Sequence, residues 1–496
     1  MFRILVADKL GPAGLRRLEE ESDVTVDVKT GLSKTELCSL ISAYDALLVR
    51  SSTQVDADLL SVAEKLRVIG RAGMGVDNID VAAATARGVL VMNTPGVNSI
   101  ATAEHTILLM LAAARHTAEA HQSVHQGEWR RSDFTGVQLY RKVLGLIGFG
   151  RIARHVAKRV RTFDMEIIAF DPYVSEEVGQ EMGITLVDLE ELLAQADVIS
   201  LHASLSVETL HILNTETLAK TKDGVIIINP SRGKLVDEPA LAEALTSGKV
   251  RAAAIDVYDE EPPGTDHPLI GLANVLHTPH LGASTEEAQR DVSIQIVEQV
   301  VDALRNEDFR NSVNMPFPAG PEYASVLPYL QLGEKIGALQ FHMADAPIRA
   351  IELELLGDTA TEFAKPIATG VLKGLMMNII ADPVNYINAP VLAEEHGIGI
   401  SQAKGLGSSE FANAISCRAT WADGNRVIIG SVFDGEHPRI VQVGDYGVNI
   451  GEWRLGRVRK GEDALSFINL DNEPSKEAIT ALEKVPAVKK LKIIRL

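Results

Sequence analysis

The run Val143-Leu144-Gly145-Leu146-Ile147-Gly148-Phe149-Gly150-Arg151-Ile152-Ala153 constrains the fold more than any other segment. An apolar strand ends in a glycine turn and opens a helix, with the spacing G-x-G-x-x-A. Gly148 permits the tight bend, Gly150 lets backbone approach a pyrophosphate, and Ala153 lets the helix pack on the strand. The helix N-terminus then offers unpaired N–H groups and a positive dipole end to phosphates. The next strand-like run, Ile167-Ile168-Ala169-Phe170, ends at Asp171, 18 residues after Ala153. An acid at about 20 residues is the one that accepts hydrogen bonds from ribose hydroxyls. A carboxylate there repels a 2′-phosphate, and Pro172 follows with no arginine to neutralise one. NAD is therefore favoured over NADP. A strand–turn–helix with a chance acid behind it is the weaker reading.

The rest of the chain supplies the context for that turn. Phe2–Ala7, Val24–Val28, Ala46–Val49, Val68–Ile69 and Val89–Met92 read as strands. Pro12–Glu20, Lys34–Ile41 and Ile79–Ala86 read as helices between them. Such alternation means βαβ units and a parallel sheet. One long helix is expected from about Ser99 to Ala118. Alternation restarts at Lys142, with strands at Val143–Ile147 and Glu166–Phe170 around a helix Ile152–Thr162. Further apolar runs follow at Val198–His202, Val225–Asn229, Ala252–Val257 and Val275–His277. A helix is expected over Thr285–Leu304, a loop over Asn311–Pro321, and a mixed α+β region beyond. The last stretch, from Val448, reads as hairpin, helix and strand. The fold class expected is thus α/β, with two Rossmann-like parallel-sheet domains and α+β C-terminal domains.

At 496 residues the chain is long enough for three or four domains. Its net charge of -19 argues against a nucleic-acid or anionic-membrane surface, because the long-range field repels polyanions. Only Cys38 and Cys417 are present, which makes neither a disulfide framework nor a zinc site, and no metal is expected. No signal peptide is read at the N-terminus. The longest apolar segment, Ala101–Ala114, is interrupted by Glu104 and His105 and is too short to span a bilayer. A cytoplasmic protein is the default.

Three polar positions follow strands of the second block: Arg232 in Asn229-Pro230-Ser231-Arg232-Gly233, Glu261 in Asp259-Glu260-Glu261-Pro262-Pro263, and His280 in Thr278-Pro279-His280-Leu281-Gly282. In open parallel sheets, ligands bind beyond the carboxyl ends of the strands, so all three can converge. Their chemistry fits oxidation of a 2-hydroxy acid. A histidine takes the hydroxyl proton near neutral pH. A carboxylate orients the ring and stabilises the imidazolium. An arginine fork holds the substrate carboxylate. Singly, each has a bland alternative as an ion pair, a turn residue or a structural histidine. The ordered set behind a nucleotide turn shifts the balance.

On these motifs, with Asp256-Val257-Tyr258, the chain resembles the D-isomer-specific 2-hydroxyacid dehydrogenases. Gly70-Arg71-Ala72-Gly73-Met74-Gly75-Val76-Asp77-Asn78-Ile79-Asp80 and His280-Leu281-Gly282-Ala283-Ser284-Thr285 are similar to the branch that oxidises 3-phospho-D-glycerate, the first step of phosphorylated L-serine biosynthesis. The resemblance implies that Arg232, Glu261 and His280 are catalytic. It implies NAD contacts for Gly148, Gly150, Arg151, Ile152, Asp171, Pro230, Ser231, Asp256, Gly282 and Ala283, with Asp256 near the carboxamide. It assigns the backbone at Gly75 and Val76, with Asn78, to the substrate carboxylate. Arg50, and Arg131 reaching a partner subunit, go to the substrate phosphate. A homodimer or homotetramer is implied, with the Ser99 helix as a dimer element.

The same resemblance implies a discontinuous substrate domain, 1–98 and 285–312, around an NAD domain, 99–284. It places an intervening α+β domain over 313–443, on Gly374-Leu375-Met376, Val384-Asn385-Tyr386-Ile387-Asn388-Ala389-Pro390, Gly397-Ile398 and Arg439-Ile440-Val441-Gln442-Val443. The segment 444–496 resembles an ACT regulatory module, βαββαβ, from its second strand onward. Its first strand, the loop that binds serine in the family, and its first helix are missing. The first strand is central in such a sheet, so the remainder cannot close in the usual way unless something else fills the gap. Serine inhibition is therefore expected to be absent or severely weakened; a gap that the natural chain does not have is the alternative. The rival activities are reduction of hydroxypyruvate or glyoxylate, or NAD sensing without catalysis.

Overall fold

The computed structural model describes residues 1–318, 323–405, 413–443, 448–457, 464–470, 474–485, 488 and 491, with backbone alone for 448–457 and 464–470. It divides into two units. One holds Met1–Leu10, Gly14–Asn93 and Gln295–Leu496; the other holds Gly11–Ala13 and Thr94–Ile294.

The first sheet belongs to the first unit. Its strands are β1 (Phe2–Val6), β2 (Val24–Val28), β3 (Ala46–Val49), β4 (Val68–Arg71) and β5 (Leu90–Met92). They run parallel in the order β2-β1-β3-β4-β5. Helices α1 (Pro12–Glu19), α2 (Lys34–Leu40), α3 (Ala57–Ser61) and α4 (Val81–Ala86) make the crossovers. Starts are set by side chains: Ser33 and Glu36 form a capping box on α2, and Asp56 and Asp80 cap α3 and α4. Helix α3 was not anticipated; five residues carry too little periodicity.

The second unit opens with α5 (Ser99–Arg115) and α6 (Thr117–His125). One helix to Ala118 was expected. Instead His116 adopts a left-handed conformation, φ 52°, which ends the first helix, and a second helix starts at Thr117. Seven parallel strands follow: β6 (Val143–Ile147), β7 (Glu166–Phe170), β8 (Thr185–Leu186), β9 (Val198–Leu201), β10 (Val225–Asn229), β11 (Val250–Ile255) and β12 (Val275–His277). Their order is β12-β11-β10-β9-β6-β7-β8. Helices α7 (Arg151–Val160), α8 (Glu176–Glu181), α9 (Leu189–Gln195), α10 (Thr215–Ala219) and α11 (Glu238–Thr246) cover both faces. Strand β10 is buried throughout; Ile227 packs into one core, and Ile226 and Ile228 into the other. That two-sided burial is why these strands read as continuous apolar runs. The chain leaves β6 in one direction for β7 and β8, then returns to β9 on its other side. This reversal is the switch point at which such sheets bind ligands.

Helix α12 (Glu286–Arg305) closes the second block. Its later turns pack on the first sheet. A Cβ on Gly70 would lie 2.6 Å from Val300 and 3.0 Å from Ile296, and Gln299 donates to the Asn93 carbonyl at 3.0 Å.

The remaining elements are α13 (Tyr323–Met343), β13 (Ala350–Leu356), α14 (Asp358–Glu362), α15 (Ala364–Met376), α16 (Ala389–Glu395), β14 (Gly399–Lys404), β15 (Ala414–Trp421), β16 (Gly424–Phe433), β17 (His437–Val443), β18 (Val448–Arg457), β19 (Ala464–Leu470) and α17 (Lys476–Glu483). The strands form one mixed sheet, β14-β13-β15-β16-β17-β18-β19, parallel only between β13 and β14. Helices α13 and α15 meet backbone to backbone. A Cβ on Gly337 would stand 2.0 Å from the Val371 carbonyl oxygen, and one on Gly374 2.0 Å from that of Glu334. The spacing Gly333-x-x-x-Gly337 against Gly370-x-x-x-Gly374 puts both pairs on facing stripes.

The expected C-terminal hairpin is β18–β19, and α17 is the helix after it; the final strand lies outside the described residues. Strand β18 is antiparallel to β17, with Gln442 opposite Asn449 and Val443 opposite Val448. Strand β18 is thus paired on one side by β17 and on the other by β19.

Candidate active site

Arg232, Glu261 and His280 follow β10, β11 and β12, three consecutive neighbours in the sheet. Parallel strands end at the same side, so residues far apart in sequence are delivered to one edge. His280 Nδ1 lies 2.8 Å from Glu261 Oε2. Glu261 Oε1 also accepts from the Tyr258 N–H at 3.2 Å. Burial works to raise the Glu261 carboxyl, but the hydrogen bond and charge of His280 and the Tyr258 N–H outweigh it and hold it below the usual carboxylate value. With Nδ1 engaged by Glu261, Nε2 is the ring nitrogen left for a further partner.

Arg232 is tied to the same loop through its neighbour. A Cβ on Gly233 would stand 1.9 Å from the Tyr258 carbonyl carbon and 2.2 Å from Asp259 N, so only glycine lets the two turns abut. Asn229, 1% exposed, closes the Arg232 turn: its amide donates to the Arg232 carbonyl at 2.9 Å and accepts from Ser231 N at 3.2 Å.

Asp256 is fully buried and organises the loop carrying His280. Its Oδ1 accepts from Thr278 Oγ1 at 2.6 Å and Leu281 N at 2.7 Å, and its Oδ2 accepts from Gly282 N at 2.9 Å. Its own carbonyl accepts from His280 N at 2.8 Å. His105 Nε2, from α5, lies 3.1 Å from Oδ1. Burial pushes this carboxyl up, but hydrogen bonds from His105, Thr278 and the Leu281 N–H prevail, and it stays below the usual range. Its oxygens thus face the loop rather than open space. The contact with His105 was not anticipated, because nothing in the sequence links α5 to residue 256. Ala283, half-buried, follows Gly282 in the same loop.

The glycine turn fits a dinucleotide. Gly148 has φ 88°, and a Cβ there would meet Ala203 N at 2.5 Å, so the turn is packed on its inner side. A Cβ on Gly150 would meet nothing within 4 Å, which leaves the side open to a pyrophosphate. Gly150 is the N-cap of α7, Arg151 and Ile152 form its first turn, and Ala153 is buried. Asp171 Oδ2 accepts from Phe149 N at 2.8 Å, so the acid also braces the turn. Arg154 adds a bond to the Phe149 carbonyl at 3.1 Å, and sequence spacing alone gave no sign of it. Pro230 is buried at the end of β10, and Ser231 Oγ donates to the Ala203 carbonyl at 2.9 Å.

The first unit holds most of the residues assigned to the substrate. Asp8, 7% exposed, accepts from Arg50 N at 2.6 Å and from Thr53 Oγ1 at 2.8 Å. Asn78 donates to the carbonyls of Arg50 and Thr53 at 2.8 and 2.6 Å. Asp8 and Asn78 therefore shape the loop that carries Arg50. Gly75 and Val76 precede Asn78 after β4, with the Val76 carbonyl accepting from Ile79 N at 2.9 Å. Arg131, in the second unit, is exposed at the start of a short 3-10 turn, Arg131–Phe134. The adjacent Arg130 pairs with Glu128 at 3.1 Å.

Residues 107–282 match the family model described as the D-isomer specific 2-hydroxyacid dehydrogenase, NAD binding domain. The chain belongs to the D-isomer-specific 2-hydroxyacid dehydrogenases, and its cofactor is NAD. Within that family it belongs with the D-3-phosphoglycerate dehydrogenases. Residues 325–444 match the intervening domain of those enzymes. The chain is 40% identical to a D-3-phosphoglycerate dehydrogenase of Methanocaldococcus jannaschii over all of both chains. It is 40% identical to one of Archaeoglobus fulgidus over 90% of this chain and 85% of that one. A solved glyoxylate reductase from Paecilomyes thermophila superposes with a TM-score of 0.58 and 32% identity, covering 63% of this chain and 98% of its own. The alignment to the Methanocaldococcus protein spans 529 positions against 496 residues here, so at least 33 (529 less 496) have no counterpart in this chain.

Proposed function

We propose that the chain oxidises 3-phospho-D-glycerate to 3-phosphohydroxypyruvate with NAD, the opening step of a phosphorylated route to L-serine. The observation that carries the chemistry is the 2.8 Å contact of His280 with Glu261, on loops after adjacent strands. His280 Nε2 accepts the proton of the C2 hydroxyl, and Glu261 stabilises the imidazolium that forms. Arg232 holds the substrate carboxylate and polarises the developing carbonyl. NAD, when bound, supplies the acceptor for the hydride that leaves C2. Gly148, Gly150, Arg151 and Ile152 form its phosphate turn, and Asp171 its ribose acid. Pro230, Ser231, Gly282 and Ala283 are assigned further contacts with NAD, and Asp256 a place near its carboxamide, where it would also hold the His280 loop.

The backbone at Gly75 and Val76 is assigned to the substrate carboxylate, with Asn78 acting by shaping the Arg50 loop. Arg50, and Arg131 from a neighbouring subunit, are assigned to the phosphate. Self-association is supported by apolar side chains standing in water on and just after α5 and α6: Ile100 is 50% exposed, Leu108 59%, Val124 57% and Trp129 81%. We place the substrate domain at 1–98 and 285–312, the NAD domain at 99–284, the intervening domain at 313–443 and a truncated ACT-like module at 444–496. The reaction is assigned to the cytoplasm.

The test is turnover with NAD and 3-phosphoglycerate beside reduction of hydroxypyruvate and glyoxylate. A kcat/KM for 3-phosphoglycerate below that for the unphosphorylated acids would give the protein to the rival activity. NAD binding without any turnover would make it a sensor.

A further inference from the structure

The loop between β11 and β12 carries Glu261 and contains no helix or strand from Asp256 to Asn274. It holds Pro262, Pro263 and Pro268, and its acidic run Asp259-Glu260-Glu261 repels itself at close quarters. Without a helix or strand ladder, such a segment is placed by its side-chain and tertiary contacts. Yet the carboxylate it carries must meet His280 within hydrogen-bond reach.

Its two arms are tied to one carboxylate. Glu238, in the first turn of α11, accepts from Asp259 N through Oε1 at 3.1 Å. Its Oε2 lies 2.8 Å from His267 Nε2. His267 Nδ1 in turn accepts from Leu269 N at 3.3 Å. That last bond settles the tautomer: Nδ1 bears no proton, so Nε2 carries it and donates to Glu238. The two side chains are only 11% and 9% exposed. The ring stands edge-on to Tyr258 at 5.5 Å between centroids, and Tyr258 gives its own N–H to Glu261. Leu269, wholly buried, anchors the far arm in the core. Residues 259 and 267, which bracket Glu261, are therefore joined through a single side chain seated on a rigid helix.

We propose that Glu238 and His267 are positioning residues for the reaction, forming a clasp that holds Glu261 at hydrogen-bond distance from His280. The inference rests on the reading of His280 and Glu261 as the proton-accepting pair. Neither Glu238 nor His267 touches the reacting atoms; both act through the loop. A displacement of about 1 Å in such a group costs roughly 10²-fold in rate. Opening the clasp should therefore lower kcat far more than it changes KM or NAD affinity.

The test is a set of variants in the full chain, read by kcat, KM and NAD binding. His267→Leu removes the donor, and Glu238→Gln cannot accept from both arms. His267→Gln keeps an N–H near the Nε2 position. The expected result is a fall in kcat of roughly 10²-fold for His267→Leu, partial recovery in His267→Gln, and unchanged NAD binding. In a Glu261→Gln background, the clasp variants should bring no further loss, because they act through Glu261. An equal further loss in that background overturns the proposal, as does full activity in both His267→Leu and Glu238→Gln. If Glu261→Gln alone keeps full turnover, the pair itself is wrong and the clasp falls with it. If His267→Leu does not fold, the His267→Gln and Glu238→Gln variants decide on the same criteria.

Discussion

The nucleotide-binding unit and the intervening domain are both densely packed, but for opposite reasons. In the former, close contacts deliver polar groups: Gly233 abuts Tyr258 so that the Arg232 and Glu261 turns lie side by side. Asp256 gathers two backbone N–H groups and a hydroxyl around the His280 loop. In the latter, close contacts deliver only packing: four glycines let α13 and α15 touch along their backbones. Small residues in the first region bring the proposed site's loops together, and in the second they bring helices together. Substitutions should therefore separate activity from stability according to region.

The largest effect is expected at the base. His280→Asn should lower turnover about 10²–10⁴-fold while NAD binding, followed by fluorescence, holds; unchanged turnover would remove His280 from the mechanism. Next comes Gly337→Val, whose Cβ would be forced to within 2.0 Å of a carbonyl oxygen. Overpacking of this kind costs about 1–3 kcal/mol or more. It should lower the denaturant midpoint of the C-terminal domain yet spare kcat per folded molecule. An equal loss of kcat would erase the contrast between the regions.

A smaller effect follows from His277. Burial holds this imidazole below its ordinary value, with Tyr258 OH at 2.9 Å from Nδ1. A group whose native value is depressed adds stability above its unfolded value, and that stability is lost as pH falls. The unfolded value is near 6.5. Below it the nucleotide unit should weaken by at most about 1.4 kcal/mol per pH unit from this group. Melting temperatures at pH 8 and pH 5.5 should therefore differ less in His277→Phe than in wild type. An equal difference in both would exclude this source. The smallest effect is expected from serine: if 444–496 is the truncated module proposed above, initial rates should show no saturable inhibition. Tight inhibition would mean that β18 and β19 bind it by other means.

The placement of Arg232, Glu261 and His280 after adjacent strands was legible in the sequence because its constraints are local. A glycine turn after a strand and a polar residue after each apolar run can be read without knowing what lies opposite. Strands β2, β3, β6, β7, β10 and β12 agree to the residue with their apolar runs. What was not legible depends on distant partners. The break at His116 is a single backbone conformation in a helix-favouring stretch. The roles of Asp8, Asn229 and His105 arise from contacts across 42, 3 and 151 residues, and only the middle one is local enough to be guessed. Asn78 was assigned to the substrate carboxylate loop by resemblance, but nothing in the sequence showed that its amide donates to the Arg50 and Thr53 carbonyls. The pairing of β18 with β17 was beyond reach, because apolar alternation marks a strand but not which strand lies beside it.

Strand β12 has only three residues, lies at the edge of its sheet and is bonded to β11 alone. His280 hangs from it. The proposed base is thus carried by one of the least anchored strands, its loop secured mainly by Asp256 from next door. Local opening begins where backbone bonds are few and exposed. Inactivation by heat or mild denaturant should therefore precede loss of helical signal, and the shelf life of this enzyme is set at that edge rather than in its cores.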